Sequence, residues 1–181
     1  VFRVNQRIFN FHQRLVEATI SMGDSSASEI LKAAEMISSS LLHGHTIFTC
    51  GNDGPASLLG QLFSYNLAVG TQIERPGFPA LSLNQLCQNR LGENRFADAL
   101  FTHGNQSDLL IIISRGGSHP ALLKTADAAV ERNIKILLIS HKNDTILAEK
   151  LSYKDLRIDM SDYEHSVVNV LHLQVLECLS E

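Results

Sequence analysis

The chain has 181 residues, of which 44% are hydrophobic and 19% are charged, and this is enough for a globular core without a disulfide or a metal to hold it together. Fifteen basic and nineteen acidic residues give a formal net charge of −4, which argues against direct binding of nucleic acid. The three cysteines form no CxxC pair, a pattern that fits a cytoplasmic location. No apolar run approaches the ~20 residues of a membrane span, so we expect no membrane partner.

Two amphipathic helices are predicted at the start of the chain. Apolar residues recur at helical spacing over 2–20 and again over 27–42. The polar linker 23–26 is expected to break the first helix. We assign 1–43 to an N-terminal helical segment that supports oligomerisation, since its apolar faces exceed what one face of a sheet can cover.

The rest of the chain alternates short apolar strands with helical segments. The predicted strands are rich in isoleucine, and they are 46–50, 80–83, 109–113, 134–139 and 156–158. Polar or glycine-containing turns and then helices follow most of them, which is typical of βαβ units. Strands that are apolar on both faces predict an α/β fold with helices on both faces of a doubly wound parallel sheet. With a closing helix at about 164–179, we expect 44–181 to form this core and 1–181 to form one domain.

Two turns of the predicted sheet are the candidate site, because ligands of such sheets bind outside the carboxyl ends of the strands. The first turn, with the start of its helix, offers Gly51, Asn52, Asp53, Gly54 and Ser57. The second turn offers Ser114, Arg115, Gly116, Gly117 and Ser118. Amide groups at a helix N-terminus, hydroxyls and a guanidinium are donors that suit a phosphate. A glycine-rich turn can also simply connect a strand to a helix, but two of them at neighbouring strands favour a binding site.

Four segments in chain order resemble the sugar isomerase (SIS) domain family, in the branch that holds phosphoheptose isomerase and the DnaA initiator-associating protein DiaA. These segments are Cys50-Gly51-Asn52-x-Gly54, Glu74-Arg75-Pro76-x-x-Pro79-Ala80-Leu81, Ser114-x-Gly116-x-Ser118 and the last helix around His172. The resemblance implies a flavodoxin-like three-layer sandwich with a five-stranded parallel sheet and N-terminal helices. It also implies a homotetramer with a phosphosugar pocket between subunits.

The metal site that this resemblance implies is degraded here. Many phosphoheptose isomerases hold zinc with a helical His-x-x-x-Glu pair and with a Gln and a His of the last helix, and that Glu is also their base. The corresponding positions in this sequence are Leu62, Asn66, Asn169 and Glu177. A gapless alignment instead places Gln61 and Tyr65 at the helical pair, and these are no better as ligands. One carboxylate and two amides are a poor donor set for zinc. We therefore expect no zinc and no other cofactor, and Glu177 is the one candidate for a catalytic base.

Three functions stay open at this point. The first is a non-catalytic, DiaA-like homotetramer that binds DnaA and promotes initiation of chromosome replication; Arg115, which precedes glycine as in DiaA proteins, favours it. The second is a phosphoheptose isomerase, that is, a sedoheptulose 7-phosphate isomerase that uses Glu177. The third is a phosphosugar-binding sensor without catalysis, in which Ser114 and Ser118 keep their binding role.

The histidines show no metal-ligand spacing beyond one isolated pair. We expect six of them at the surface, and these are His43, His45, His103, His119, His141 and His165. His172, which lies between two leucines of the last helix, is expected to be a packing residue, and Cys50 is expected in the core.

Overall fold

A computed structural model describes residues 2–52, 54–70 and 76–181. Its strands are β1 Ile47–Gly51, β2 Ala80–Ser82, β3 Leu109–Ile113, β4 Lys135–Ser140 and β5 Leu156–Asp159. They form one five-stranded sheet in the order β2-β1-β3-β4-β5, and all neighbouring strands are parallel. The predicted parallel α/β sheet is confirmed, and each strand lies within one residue of its expected position.

Helices cover both faces of the sheet. Those of the described residues are α1 Phe2–Ser25, α2 Ala27–Leu42, α3 Gly54–Val69, α4 Leu83–Leu86, α5 Arg95–His103, α6 Pro120–Glu131, α7 Thr145–Ala148 and α8 Val168–Ser180. Helices α1, α2, α3 and α8 share one core with the sheet, and α4 to α7 share the other. No helix in the described part of the chain is both long and apolar enough to cross a membrane.

Successive side chains of each strand enter the two cores alternately. In β3, Leu110 is buried in the same core as Phe96 of α5, whereas Ile111 is buried in the other core with Phe63 of α3 and Leu171 of α8. Burial of one such side chain contributes about 1.5–3 kcal/mol, so a strand that is apolar on both faces stabilises both helical layers. The result is the expected three-layer sandwich.

The first helix is longer than the sequence indicated. It does not break at 23–26 but continues to Ser25, and the Ser26 amide still donates a hydrogen bond of 2.9 Å to the Met22 carbonyl oxygen. Met22 is buried. Packing of this side chain outweighs the ~1 kcal/mol that Gly23 costs inside a helix, so α1 and α2 follow each other with almost no interruption.

The closing helix begins later than expected, at Val168 instead of residue 164. The preceding residues form a turn, in which the Val167 amide donates to the Glu164 carbonyl oxygen at 3.1 Å. This turn leads the chain from the carboxyl end of β5 back to α8, which packs beside α3.

Candidate functional site

The two predicted turns leave neighbouring strands at the same edge of the sheet. Gly51 at the end of β1 pairs in register with Ile113 at the end of β3. A Cβ atom on Gly51 would lie 2.5 Å from the carbonyl carbon of Ala56, so only glycine lets the start of α3 approach β1 this closely. Asp53, which we predicted in this turn, lies outside the described residues. The same holds for Glu74 and Arg75 of the family motif.

The polar side chains of the first turn are moderately accessible. Asn52 and Ser57 are both partly buried, and Gly54 is exposed at the first position of α3. The Ser57 hydroxyl accepts a hydrogen bond of 3.0 Å from the Gln61 side chain one helical turn later. This junction therefore presents a helix N-terminus, a hydroxyl and an amide at the ligand-binding edge of the sheet.

Hydrogen bonds to a buried carboxylate, which the sequence analysis missed, hold the second turn in place. Asp144, which follows β4 and is 1% exposed, accepts hydrogen bonds from the Ser114 hydroxyl at 2.9 Å and from the Ser118 amide at 3.1 Å. The Ser118 hydroxyl donates to the Asn143 carbonyl oxygen at 3.2 Å. The two hydroxyls that we predicted for a phosphate are therefore donors within the fold.

The glycines and the arginine of the second turn are also engaged. Gly116 and Gly117 have positive φ angles of 106° and 91°, and a Cβ atom on Gly116 would lie 2.0 Å from the Lys142 carbonyl oxygen. The Arg115 guanidinium donates to His165 Nε2 at 2.7 Å. This turn is a packed junction between the carboxyl ends of β3 and β4.

The four positions that the resemblance aligns with the family's metal site lie on the adjoining helices α3 and α8. The Asn66 side chain donates to the Glu177 carboxylate at 3.3 Å. Leu62 and Asn169 line one largely apolar cavity of about 320 Å³. The structure thus brings these residues together in two pairs on facing helices.

The residues at these positions do not fit zinc. Leu62 has no donor atom, Asn66 and Asn169 offer neutral amide oxygens, and Glu177 supplies one carboxylate, whereas zinc in proteins is held by Cys, His and carboxylate ligands. Within the described ranges, no three His, Cys, Asp or Glu side chains gather where they could hold a metal ion.

A polar pocket beside the first turn was missed in the sequence analysis. Its volume is about 380 Å³, and it is lined by Ser57, Gln61, Asn84, Gln85, Cys87, Gln88, Arg90, Leu91, Arg95 and Phe96. We call it the arginine pocket. The Asn84 carboxamide fixes one wall, since it accepts from the Gly51 amide at 3.0 Å and donates to the Gly51 carbonyl oxygen at 2.7 Å. The sequence does contain a pattern that could have located this pocket, because polar residues follow β2 as they follow β1 and β3.

The thiols at this end of the sheet are buried. Cys50 is fully buried in the core, as expected, and burial raises its pKa well above the ordinary thiol range. Burial also raises the pKa of the Cys87 thiol, against a smaller opposing effect of the Arg90 and Arg95 cations. Cys87 Sγ donates to the Arg95 carbonyl oxygen at 3.0 Å. Both cysteines therefore act as packing groups.

One histidine expectation was wrong. His141 is 2% exposed instead of being a surface residue, and its Nε2 donates to the Tyr163 carbonyl oxygen at 2.9 Å. His119 caps α6, because its Nδ1 accepts from the Ala121 amide at 3.2 Å. His172 is fully buried, as expected.

Known proteins resemble this chain over almost its whole length. Phosphoheptose isomerase of Shewanella baltica strain OS155 is 29% identical over 183 aligned residues, which cover 97% of this chain and 92% of that protein. DnaA initiator-associating protein DiaA of Photorhabdus laumondii is 28% identical over 173 aligned residues, which cover 92% and 88% respectively.

Solved structures agree with the fold. The structure of a phosphoheptose isomerase from Francisella tularensis superimposes with a TM-score of 0.89 at 22% identity, covering 98% of this chain and 96% of that one. The Vibrio vulnificus NanR protein complexed with ManNAc-6P superimposes with a TM-score of 0.66 at 16% identity over 96% of this chain and 60% of that one. The sequence profile of the SIS domain matches residues 10–140, which is well over half of the sequence, and the chain therefore belongs to the SIS domain family.

Proposed function

We propose that this protein is a non-catalytic, DiaA-like SIS domain protein, a homotetramer that binds the replication initiator DnaA and promotes initiation of chromosome replication. The observation that carries the proposal is the pairing of Asn66 with Glu177 beside the apolar cavity at Leu62. Isomerisation of a sugar phosphate by proton transfer needs a base within hydrogen-bond reach of the substrate carbons. Here an amide takes the place of that base.

The exposed apolar faces support self-association. On α1, Ile8, Phe9 and Val16 are each more than half exposed. On α3, Leu58, Tyr65 and Val69 are likewise more than half exposed and lie at helical spacing on one face. Apolar faces of this extent are typical of surfaces that pack against another protein.

A tetramer gives the DnaA function a physical basis. Four identical surfaces raise the effective concentration of a second DnaA molecule once the first has bound, so several weak contacts can gather several initiator molecules. The 28% identity to Photorhabdus laumondii DiaA supports this choice of partner.

The direct test is binding of purified DnaA to the immobilised protein, together with light scattering of the protein alone. We expect a tetramer that retains DnaA at micromolar concentration. The Phe9→Asp variant serves as the matched control, because a monomer that still folds loses the avidity and retains much less DnaA. Absence of any association between wild type and DnaA at micromolar concentration would refute the proposal.

We further propose that the protein has no resident zinc, and a gain-of-site variant tests this. Leu62→His with Asn66→Glu places two ligands four residues apart on one helix face. Adding Asn169→Gln and Glu177→His supplies the opposing donors, so the quadruple variant should bind about one zinc per subunit. Metal analysis of wild type should find no stoichiometric zinc, and finding it would contradict the proposal.

A second candidate is binding of a sugar phosphate without catalysis. The arginine pocket favours it, because two guanidinium groups lie there beside hydroxyl and amide donors at the edge of the sheet where ligands bind. Sedoheptulose 7-phosphate at 100 times its dissociation constant should stabilise the fold by about 2.7 kcal/mol. Thermal denaturation with and without this compound is the measurement.

The isomerase alternative depends on Glu177, which is exposed and whose carboxylate accepts a hydrogen bond from the Asn66 side chain. A coupled assay with sedoheptulose 7-phosphate, comparing wild type with Glu177→Gln, tests it. Turnover that disappears in Glu177→Gln would establish the isomerase in place of the non-catalytic function. We expect no turnover in either protein.

A further inference from the structure

We propose that a small cavity at the amino end of the sheet binds inorganic phosphate and selects it over sulfate. The cavity lies between the end of α2 and the first residues of β3 and β4, and its volume is about 210 Å³. We call it the amino-end cavity. It lies at the edge of the sheet opposite to the two turns, so the proposal is independent of the function proposed above. Its polar lining residues are Ser39, Ser40, His43, His45, Ser107 and Lys135.

The charge around the amino-end cavity favours an anion. Lys135, the first residue of β4, is exposed, and no acidic side chain in the described part of the chain pairs with it. None of the described lining residues is an acid. Asp108 lies nearby, but its carboxylate already accepts from the Thr46 amide at 2.8 Å and from the Asn105 amide at 2.7 Å. One cation therefore faces the cavity while the neighbouring acid is held by backbone donors.

A buried hydroxyl in the wall is ready for a ligand. Ser40 is 8% exposed, and its hydroxyl oxygen is buried with no hydrogen-bond partner among the described residues. Such an unpaired buried group costs free energy, which a ligand oxygen in the cavity would recover. Ser39 and Ser107 bring two further hydroxyls to the lining. Together with the Lys135 ammonium, these groups can donate to several oxygens of one oxyanion.

The two histidines offer acceptors instead of donors. His43 Nδ1 lies 2.7 Å from the Ser39 carbonyl oxygen, which can only accept, so this nitrogen carries the hydrogen. His45 Nδ1 faces Asp108 Oδ1 at 4.0 Å, and a carboxylate there likewise favours a hydrogen on Nδ1. The two rings stack with their centres 6.3 Å apart. In each neutral ring, Nε2 is then the acceptor that is left for a ligand.

This mixture of donors and acceptors distinguishes phosphate from sulfate. Both are tetrahedral oxyanions, but near neutral pH phosphate still carries a proton and sulfate carries none. Phosphate can therefore accept from Lys135 and the serines while it donates its own proton to an imidazole Nε2. Sulfate would leave that acceptor facing an oxygen lone pair, and an unpaired polar group at a site discriminates strongly against a ligand. The volume is smaller than the roughly 300 Å³ at which sites for larger organic ligands begin, so the ligand is a small ion.

The test is calorimetric titration of the full chain with phosphate and with sulfate at pH 7.5, where imidazole groups are ordinarily neutral. We expect phosphate to bind roughly 10-fold or more tightly than sulfate, and Lys135→Gln to weaken phosphate binding by a similar factor. Lys142→Gln is the matched control, because Lys142 is an exposed lysine just beyond the opposite end of β4. It should leave the affinity unchanged.

The histidine variants test the selection itself. His43→Leu changes an exposed residue and should fold normally, as checked by circular dichroism. Removal of one acceptor in His43→Leu or in His45→Leu should reduce the preference for phosphate over sulfate. A preference that stays at the wild-type value in both variants would overturn selection by the imidazoles.

Arg115→Gln tests where the phosphate lies. If this variant loses phosphate binding while Lys135→Gln binds as wild type does, the anion lies at the turn after β3 and the proposal is overturned. Wild type that binds no phosphate at millimolar concentration also overturns it. The DnaA function is judged separately, because Lys135→Gln should retain as much DnaA as wild type.

Discussion

Replacement of Asp144 by alanine tests the idea that one buried carboxylate joins the carboxyl ends of β3 and β4. The carboxylate accepts hydrogen bonds from the Ser114 hydroxyl, the Ser118 amide and, at 3.2 Å, the His141 amide. Asp144→Ala leaves three donors without this acceptor, in a place where the aspartate itself is 1% exposed. We expect all three donors to lose their main partner at once.

The cost follows from the burial of those donors. Leaving one buried donor unsatisfied costs about 1–3 kcal/mol, and water that enters the space of the lost side chain recovers part of it. The expected loss of unfolding free energy is about 3–5 kcal/mol. For a chain of this size, this loss of unfolding free energy corresponds to a fall in melting temperature of roughly 10 °C.

Urea denaturation followed by circular dichroism measures this loss. Asp127→Ala is the matched control, because Asp127 is an exposed aspartate whose ion pair with Lys150 should contribute less than about 1 kcal/mol. Asp144→Asn should fall between wild type and Asp144→Ala, since its amide oxygen still accepts. A loss below about 1 kcal/mol in Asp144→Ala would refute the view that this carboxylate organises the second turn.

Three further perturbations probe other parts of the molecule. Phe9→Asp changes a side chain that is 63% exposed in one chain, so light scattering should show dissociation of the proposed tetramer with unchanged circular dichroism. Gly116→Ala should lower the unfolding free energy in urea by about 2–4 kcal/mol, whereas Gly54→Ala, with open space at its Cβ, should be nearly neutral. Because burial raises the pKa of Cys50, this thiol ionises only in the unfolded chain as the pH rises past about 8.5. The advantage of wild type over Cys50→Ala in urea should therefore shrink by about 1.4 kcal/mol between pH 7.5 and pH 9.5.

The positions of the strands were predictable because each strand depends on the apolar pattern of residues that are neighbours in the sequence. A run such as 109–113 is apolar at every position and is bounded by polar turns. This pattern predicts a strand that is buried on both faces. The turn after β3 was located by the same reasoning. Its chemistry was not, because the carboxylate that occupies its donors lies 30 residues further along the chain, at Asp144.

Contacts of this kind depend on which strands are neighbours. Asn84 meets Gly51 because β2 lies beside β1, and Asp144 meets Ser114 because β4 lies beside β3. Sequence patterns reveal that a residue follows a strand, but the strand order decides which residues meet across the edge. The burial of His141 has the same origin, since its partner carbonyl follows β5.

The long first helix has a consequence for how the proposed tetramer would form. Side chains 4–10 are all exposed in the single chain, and a few helical turns without tertiary cover have little stability of their own in water. In a newly made protomer this end of α1 would fray while the sheet and the other helices are already protected from hydrogen exchange. Formation of the proposed tetramer should then raise its protection as the protein concentration rises, so the amide protons of this segment would report the fraction of the protein that has assembled.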